Sequence, residues 1–301
     1  MNWSLFIASV LLLFTVAYDF FFTVISINGA GLVSSRLSGW ISELFLNLNK
    51  AVNGRKVLNY CGVSIILSLI IWWIGGLWLG FYLLILSDER SVVTASTGIA
   101  ADVSDKFYYS GYVLSTMGNG DFVPGSPCWQ IVIAVFSFSG FIFITTAMTY
   151  LISVSSAVIH KRSLSLYINE IMTLNEEDRI NCLYENAAEI RNMINRHNQN
   201  HFAYPVVHYF FSTDKKTSFS IGLWKLNTLL TSIQNDSGHP SHKVMPLIRS
   251  IDNYLSTMSE AFIPKNEGNP GKNDDRSDLK KLQVIKLLNS DGWYAAKKEI
   301  L

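Results

Sequence analysis

At 301 residues, 49% hydrophobic and 16% charged, with a mean hydropathy of +0.25, the chain falls below the roughly one-quarter charged content of soluble domains and leans toward a membrane protein. A net charge of +1 gives no footprint for nucleic acid. Three widely spaced cysteines, Cys61, Cys128 and Cys182, form neither a disulfide framework nor a CxxC metal pattern.

Charge is divided unevenly along the chain. Residues 1–159 hold six Lys/Arg and seven Asp/Glu, and residues 160–301 hold eighteen and sixteen. The first half is lipid-compatible and the second water-compatible. Three apolar stretches, from about Trp3 to Ile27, Val57 to Leu86 and Cys128 to Ile159, each exceed the roughly 20 residues a membrane span needs. The first has no basic residue before it and runs on past Asp19 through "FFFTVISI", which favours a retained span over a cleaved leader. Asp19 itself is a carboxylate in that span. It is expected either to pair with Arg36, Tyr18 or a backbone group near the inner interface or, the favoured reading, to sit near that interface and reach water.

Lys and Arg in the short loops set the orientation. Residues 28–56 carry Arg36, Lys50, Arg55 and Lys56 against Glu43, and His160, Lys161 and Arg162 follow the third span. Residues 87–106 carry four acids against Arg90 and Lys106. The N-terminus is therefore expected outside and 160–301 in the cytoplasm, in a plasma (inner) membrane. Within 31–56, Leu37, Ile41, Phe45 (or Leu44) and Leu48 recur every three to four residues. That stripe reads as an amphipathic helix on the inner membrane surface or as one packed on neighbouring spans.

Past Arg162 the pattern is helical, with no alternating strand runs. Thr173 or Asn175 caps a helix begun by Glu176, Glu177 and Asp178. Further helices are expected at 203–212, 218–235 and 241–262. A polar linker with Pro and Gly (264–278) and a C-terminal helix (279–301), broken near Asp291-Gly292, complete the chain. "HNQNH" puts His197 and His201 on one helical face near His208, and a polar helix end explains this better than a metal site. "HPSH" (His239, His242) reads as a loop, and Asp274, Asp275 and Asp278 lack calcium-loop spacing. No cofactor, metal site or catalytic constellation is expected. No Arg-every-third-residue span and no GxGxxG after a strand appears either.

Residues 104–124, "SDKFYYSGYVLSTMGNGDFVP", lie between the second and third spans. Asp105 to Leu114 is too short to span but fits a half-membrane helix whose negative dipole end faces a cation. Thr-Met-Gly-Asn-Gly then offers successive carbonyls on a backbone freed by glycine. Inside a membrane, irregular backbone is tolerated only when buried in protein or lining a wet path. Span, short helix, Thr116-Met117-Gly118-Asn119-Gly120-Asp121 and span resembles the pore module of the potassium channel superfamily, whose signature is Thr-Val-Gly-Tyr-Gly-Asp.

The resemblance covers about a third of the chain. It does not extend to the helical tail. With the spans and helices read above, the pore module makes the chain an expected all-α membrane protein of three transmembrane helices with one re-entrant pore helix and filter loop, followed by an all-α cytoplasmic domain. Its parts are an N-terminal span (1–30), an interfacial helix (31–56), a pore module (57–159) and a helical domain (160–263). Within the module, the outer helix is 57–86, the pore helix 105–115, the filter 116–120 and the inner helix 128–159. Carbonyls of Thr116, Met117, Gly118, Asn119 and Gly120 would bind a permeant monovalent cation, potassium first. Tyr108 and Tyr109 would form an aromatic cuff, Asp121 would anchor the filter and Gly140 would be the inner-helix hinge. One loop per chain implies a homotetramer, with membrane lipids as the other partner and an unknown gating ligand. Asn119 stands where the family has an aromatic brace, so a non-selective K/Na pore is the rival, beside a non-conducting signalling or scaffold protein. Thr145, Thr149, Ile152 and Ser156 share one face of the inner helix, as pore lining with Ile152 as a narrow apolar point, or as packing residues. An enzyme with "GNG" as phosphate loop fails, because Phe-Val-Pro follows it instead of a helix start.

Overall fold

The computed structural model describes residues 1–26, 29–52, 55–118, 120–235, 240–261 and 276–293. Main chain alone is described at 52, 241, 260, 261 and 276–279. Asn119, His239, Asp274, Asp275 and the segment 294–301, each part of an expectation above, lie outside the described residues.

Among the described residues three helices are long and apolar enough to cross a membrane: α1 (Trp3–Val24), α3 (Cys61–Leu86) with the 3-10 turn Arg55–Tyr60 before it, and α5 (Pro127–Met172). Between α1 and α3 runs α2 (Leu32–Val52), and between α3 and α5 the short α4 (Val103–Leu114). Four further helices lie among the described residues after α5: α6 (Glu176–Ala203), α7 (Phe219–Asn235), α8 (Met245–Ala261) and α9 (Arg276–Ser290). Two compact units result, one of 1–39 with 64–153, the other of 40–63 with 154–301.

In the first unit, α1 packs on α3 through two glycines one turn apart. A Cβ on Gly76 would strike Val16, and one on Gly80 would strike Leu13, the close-approach logic of small residues in membrane helices. Ser9 adds a hydrogen bond to the Gly80 carbonyl (2.8 Å). Phe20 lies stacked on Phe143 at 4.1 Å and edge-on to Trp73 at 5.2 Å.

Asp19 does not reach water. It is 1% exposed, and neither Arg36 nor Tyr18 is its partner; both are exposed. Its Oδ1 accepts the backbone N–H groups of Val33 (2.9 Å) and Ser34 (3.0 Å) at the start of α2. Its Oδ2 accepts the Ser34 hydroxyl (2.5 Å) and the indole N–H groups of Trp72 (3.1 Å) and Trp73 (3.2 Å). Two free donors of a helix N-terminus and two indoles replace the water the carboxylate gives up.

From that anchor, α2 turns small polar residues inward. Ser34, Ser38, Ser42 and Asn49 are buried, while Leu32, Trp40, Leu44 and Leu48 are exposed. Leu37, Ile41 and Phe45 are only half-buried. The expected stripe is thus split: spacing located a helix but not which face is apolar outward.

The second unit is a helical core of α6, α7, α8, α9 and the end of α5, built on Leu164, Ile168, Leu183, Ile190, Leu226 and Leu255. Two expectations need correction here. The inner helix does not stop at 159; α5 continues to Met172, because the change in composition brings charge but no helix breaker. The helix expected at 203–212 is a 3-10 turn, Pro205–Tyr209, after α6 ends at Ala203. Proline pushes Tyr204 out of the helical region (φ −130°, ψ 79°). The break expected near Asp291-Gly292 is present: α9 ends at Ser290, and Gly292 takes φ +73° in the turn that follows. Asn175 caps α6 by accepting from Asp178 N–H, one of the two caps expected.

His197, His201 and His208 are not a polar helix end but are buried, ring against ring, with centroid spacings of 5.1 Å and 5.4 Å. Neither ring nitrogen of His197 has a hydrogen-bond partner among the described residues. Burial, then the charge of Lys161, pushes the His197 pKa well below its ordinary value. Burial, then the neighbouring His197, does the same for His201. Burial takes His208 down to about 4 against an opposing pull from Asp291. Among the described residues no three His, Cys, Asp or Glu side chains are placed to hold a metal ion.

Two predictions follow from these buried groups. Replacing Asp19 by Leu leaves two backbone amides, one hydroxyl and two indoles without an acceptor, and should cost about 3 kcal/mol or more. Asp19→Asn keeps one acceptor oxygen and should cost about half as much, read from thermal unfolding in detergent; equal, small effects would contradict the geometry. The histidines are neutral when folded and titrate near 6.5 when unfolded, so the unfolded state binds more protons in acid. Their stabilising effect is complete above about pH 6.5 and is lost as pH falls toward about 4. The thermal midpoint should therefore drop by several degrees from pH 7.5 to pH 5, and replacing His208 by Phe should flatten that slope.

Candidate ion-conduction site

The loop between α3 and α5 is held by backbone and side-chain ties at each turn, all inside the first unit. Two three-residue strands, β1 (Val92–Thr94) and β2 (Phe122–Pro124), pair antiparallel with Val93 opposite Val123. No strand was expected; three residues are too few for alternation to show. Asp102 caps α4 in a reciprocal box with Asp105, accepting its N–H at 2.7 Å. Hydrogen bonds from the Asp105 N–H, then Ser104, hold the Asp102 carboxyl below its ordinary pKa.

Lys106, buried within α4, donates to the carbonyls of Asp88 (2.7 Å) and Glu89 (2.9 Å) just after α3. The Asp88 carboxylate accepts the Trp129 indole N–H from the first turn of α5 at 2.7 Å. Trp78 of α3 donates to the Ser110 hydroxyl (2.9 Å) and stacks on Phe107 at 4.6 Å. These ties fix the short helix from three sides. None was visible in the sequence, because nothing in the local pattern distinguishes Lys106, Asp88 or Trp129 from solvent-facing residues.

The C-terminal end of α4 rests on α5. A Cβ on Gly140 would collide with the Leu114 carbonyl oxygen, so glycine there is a seat for the last turn of the short helix. After Leu114, Thr116 and Gly118 take φ of +59° and +67°. Thr116 is the one non-glycine residue among those described with positive φ. Thr116, Met117, Gly118, Gly120 and Asp121 are all exposed in the single chain. The chain then re-enters the ribbon, with the Asp121 carbonyl accepting from Ala95 N–H at 2.8 Å.

The two tyrosines point to different surroundings. Tyr109 is buried with its ring 6.4 Å from Phe122, whereas Tyr108 is half-exposed and 4.8 Å from Tyr112. On α5, Thr145, Thr149, Ile152 and Ser156 share one exposed face with Phe138, Phe141 and Met148. The hydroxyls of Thr145 and Thr149 bond back to the carbonyls of Phe141 (2.8 Å) and Thr145 (3.0 Å), which lets a polar residue sit on an apolar face. Phe143, Ala147, Tyr150, Val154 and Ala157 occupy the opposite, buried face.

Two long helices bracketing a tied short helix and a glycine-bearing loop define a pore-loop membrane protein. Residues 67–156 match the family model described as "Ion channel". The whole chain is 30% identical, over 303 aligned positions, to the uncharacterized membrane protein YdjJ of Bacillus subtilis (strain 168), covering 94% of this chain and 85% of that one. The chain belongs to the same family of membrane proteins as YdjJ, and its residues 67–156 form a pore-loop ion channel domain, which is not an enzyme. No solved structure matches it significantly.

The seat at Gly140 gives a ranking that a generic helix glycine would not. Gly140→Ala should destabilise the protein by about 1 kcal/mol or more through overpacking. Gly39→Ala, where a Cβ meets open space, should be neutral or stabilising by up to about 1 kcal/mol. Thermal unfolding of both variants checks the order, and the reverse order would contradict the seat.

Proposed function

We propose that four copies of this chain surround one axis and pass monovalent cations passively along it, with residues 116–120 of each copy supplying the coordinating carbonyls. The observation that carries this reading is the state of that segment in one subunit. It is tied at both ends, by the seat at Gly140 and by the ribbon at Phe122–Pro124, yet Thr116 to Gly118 and Gly120 are exposed. Backbone of this kind inside a membrane must line a wet path or be covered by protein, and further copies meet both demands. The exposed face of α5 through Thr145, Thr149, Ile152 and Ser156 would then border the inner part of the path.

In this reading α4 and the following loop enter and leave from the outer side, and 160–301 lies in the cytoplasm, as the Lys/Arg distribution supports. The outward-facing Leu32, Trp40, Leu44 and Leu48 of α2, with Arg36 and Lys50, suit the inner lipid surface. Asp121 would anchor the filter exit through the ribbon, and Tyr109 would back it through Phe122. Potassium is the favoured ion because the segment keeps the Thr-x-Gly-x-Gly-Asp pattern. Asn119 in place of an aromatic brace favours the second reading, a pore that passes potassium and sodium alike.

Reversal potentials of the purified protein in a bilayer, with potassium on one side and sodium on the other, test both. A reversal near the potassium equilibrium value supports the selective reading, and one near zero with current supports the second. In that second case Asn119→Tyr should shift the reversal toward potassium by tens of millivolts. A properly folded protein that never conducts would return it to the scaffold class.

A further inference from the structure

In the second unit, one arginine gathers three stretches of chain that are far apart in sequence. Arg55 stands on the 3-10 turn that opens into α3. Its Nε and Nη2 donate to the Ser212 carbonyl at 3.1 Å and 2.7 Å. Nη2 also donates to the Asp291 carbonyl (2.9 Å) and Nη1 to the Gly292 carbonyl (2.8 Å). The guanidinium carbon lies over the Trp293 ring, 3.5 Å from its centroid. A planar fork that donates and stacks at once is a property of arginine that lysine lacks.

The piece it grips is the end of α9. The Trp293 N–H returns to the Leu288 carbonyl (2.9 Å), closing the helix, and its indole donates to the Ser218 hydroxyl (2.8 Å). Gly292 leaves room beside Leu46, Leu58 and Arg55 itself. The second piece, the stretch from Pro205 to Ser212, is held from another side by the inner helix. Lys161 of α5 donates to the carbonyls of Val207 (3.3 Å) and Phe210 (3.2 Å). A Cβ on Gly62, in the first turn of α3, would strike the Phe210 ring.

We propose that Arg55 is a coupling clasp, through which the seating of α9 sets the conformation of the lower ends of both pore-flanking helices, α3 directly and α5 by way of residues 205–212. The proposal rests on the channel reading above for its effect on conduction, but not for the coupling itself. In this proposal α9 is the member that seats and unseats. It packs on α7 and α8 with Val284, Leu287 and Leu288 in the core, and Lys280 pairs with Asp252 at 2.6 Å. Unseating Trp293 removes the stacking surface and the Asp291 and Gly292 carbonyls from Arg55 together. The same guanidinium then loses the geometry with which it holds Ser212.

The test uses the full chain in lipid nanodiscs, with hydrogen exchange as the first readout and potassium flux as the second. Arg55→Lys and Trp293→Ala should each raise exchange about tenfold or more at 205–212 and 55–60 as well as at 291–293. Ser218→Ala, which removes the indole hydrogen bond together with the hydroxyl contact between Ser218 and Ser220 (3.0 Å), should do the same to a smaller degree and serves where Trp293→Ala does not fold. Flux should change at least threefold in the same direction in both variants, and the double variant should go no further than the larger single one. Exchange confined to 291–293, or flux changes that are absent or simply add, would overturn the clasp. If the wild-type protein carries no ions, the channel reading fails on its own and the exchange measurement still decides the coupling.

Discussion

A carboxyl group within an apolar span must be solvated by the protein, and Asp19 meets that requirement with five neutral donors. Much of the first unit is positioned by this need. Two of the donors are the first free amides of α2, so the carboxylate fixes where that helix starts. Two others are the Trp72 and Trp73 indoles, so it also fixes how α3 is rotated against α1. Gly31 must be a glycine because a Cβ there would strike the Asp19 carboxylate. Thr23 closes the same turn, accepting from Gly31 N–H at 2.8 Å while its hydroxyl donates to the Asp19 carbonyl at 2.7 Å. Polar solvation, more than apolar packing, decides the geometry here, because lipid gives apolar helices no strong reason to prefer one partner over another.

The loop between α3 and α5 follows a related rule. Its backbone is irregular, so each tie that holds it uses a polar group that would otherwise be unsatisfied. Lys106 spends its ammonium on two carbonyls, Asp88 accepts an indole, and the ribbon pairs residues before and after the glycine-bearing segment. The segment itself and one face of α5 remain exposed. In the proposed tetramer that open side of the tied loop is where the other copies would meet it.

How much of this the sequence discloses depends on how local the cause is. Span positions, α4, the α6 cap at Asn175 and the break at Asp291-Gly292 follow from composition, spacing and single-residue conformational limits, and the chain obeys them. The channel family is legible too, since Thr116 to Asp121 carries its own signature between two spans. The burial of Asp19 and of the histidine trio is not legible, because both depend on partners many residues away: Trp72 and Trp73 for one, Tyr254 and Phe219 for the other. Charge patterning placed the end of the inner helix at 159, but α5 ignores it, since lysine and arginine are as helical as leucine. Gly140 was expected from the resemblance as a hinge, and the contact that makes glycine necessary is with Leu114, a neighbour only in space.

The central claim is that residues 116–120 of four chains form the ion path. Its most direct measurement is the structure of the purified protein grown or frozen in rubidium or thallium. The account predicts a fourfold axis with density for these cations between the rings of 116–120 carbonyls, at roughly 3 Å from the oxygens. An assembly without that axis, or an axis whose 116–120 segment holds no cation at saturating concentration, would contradict it.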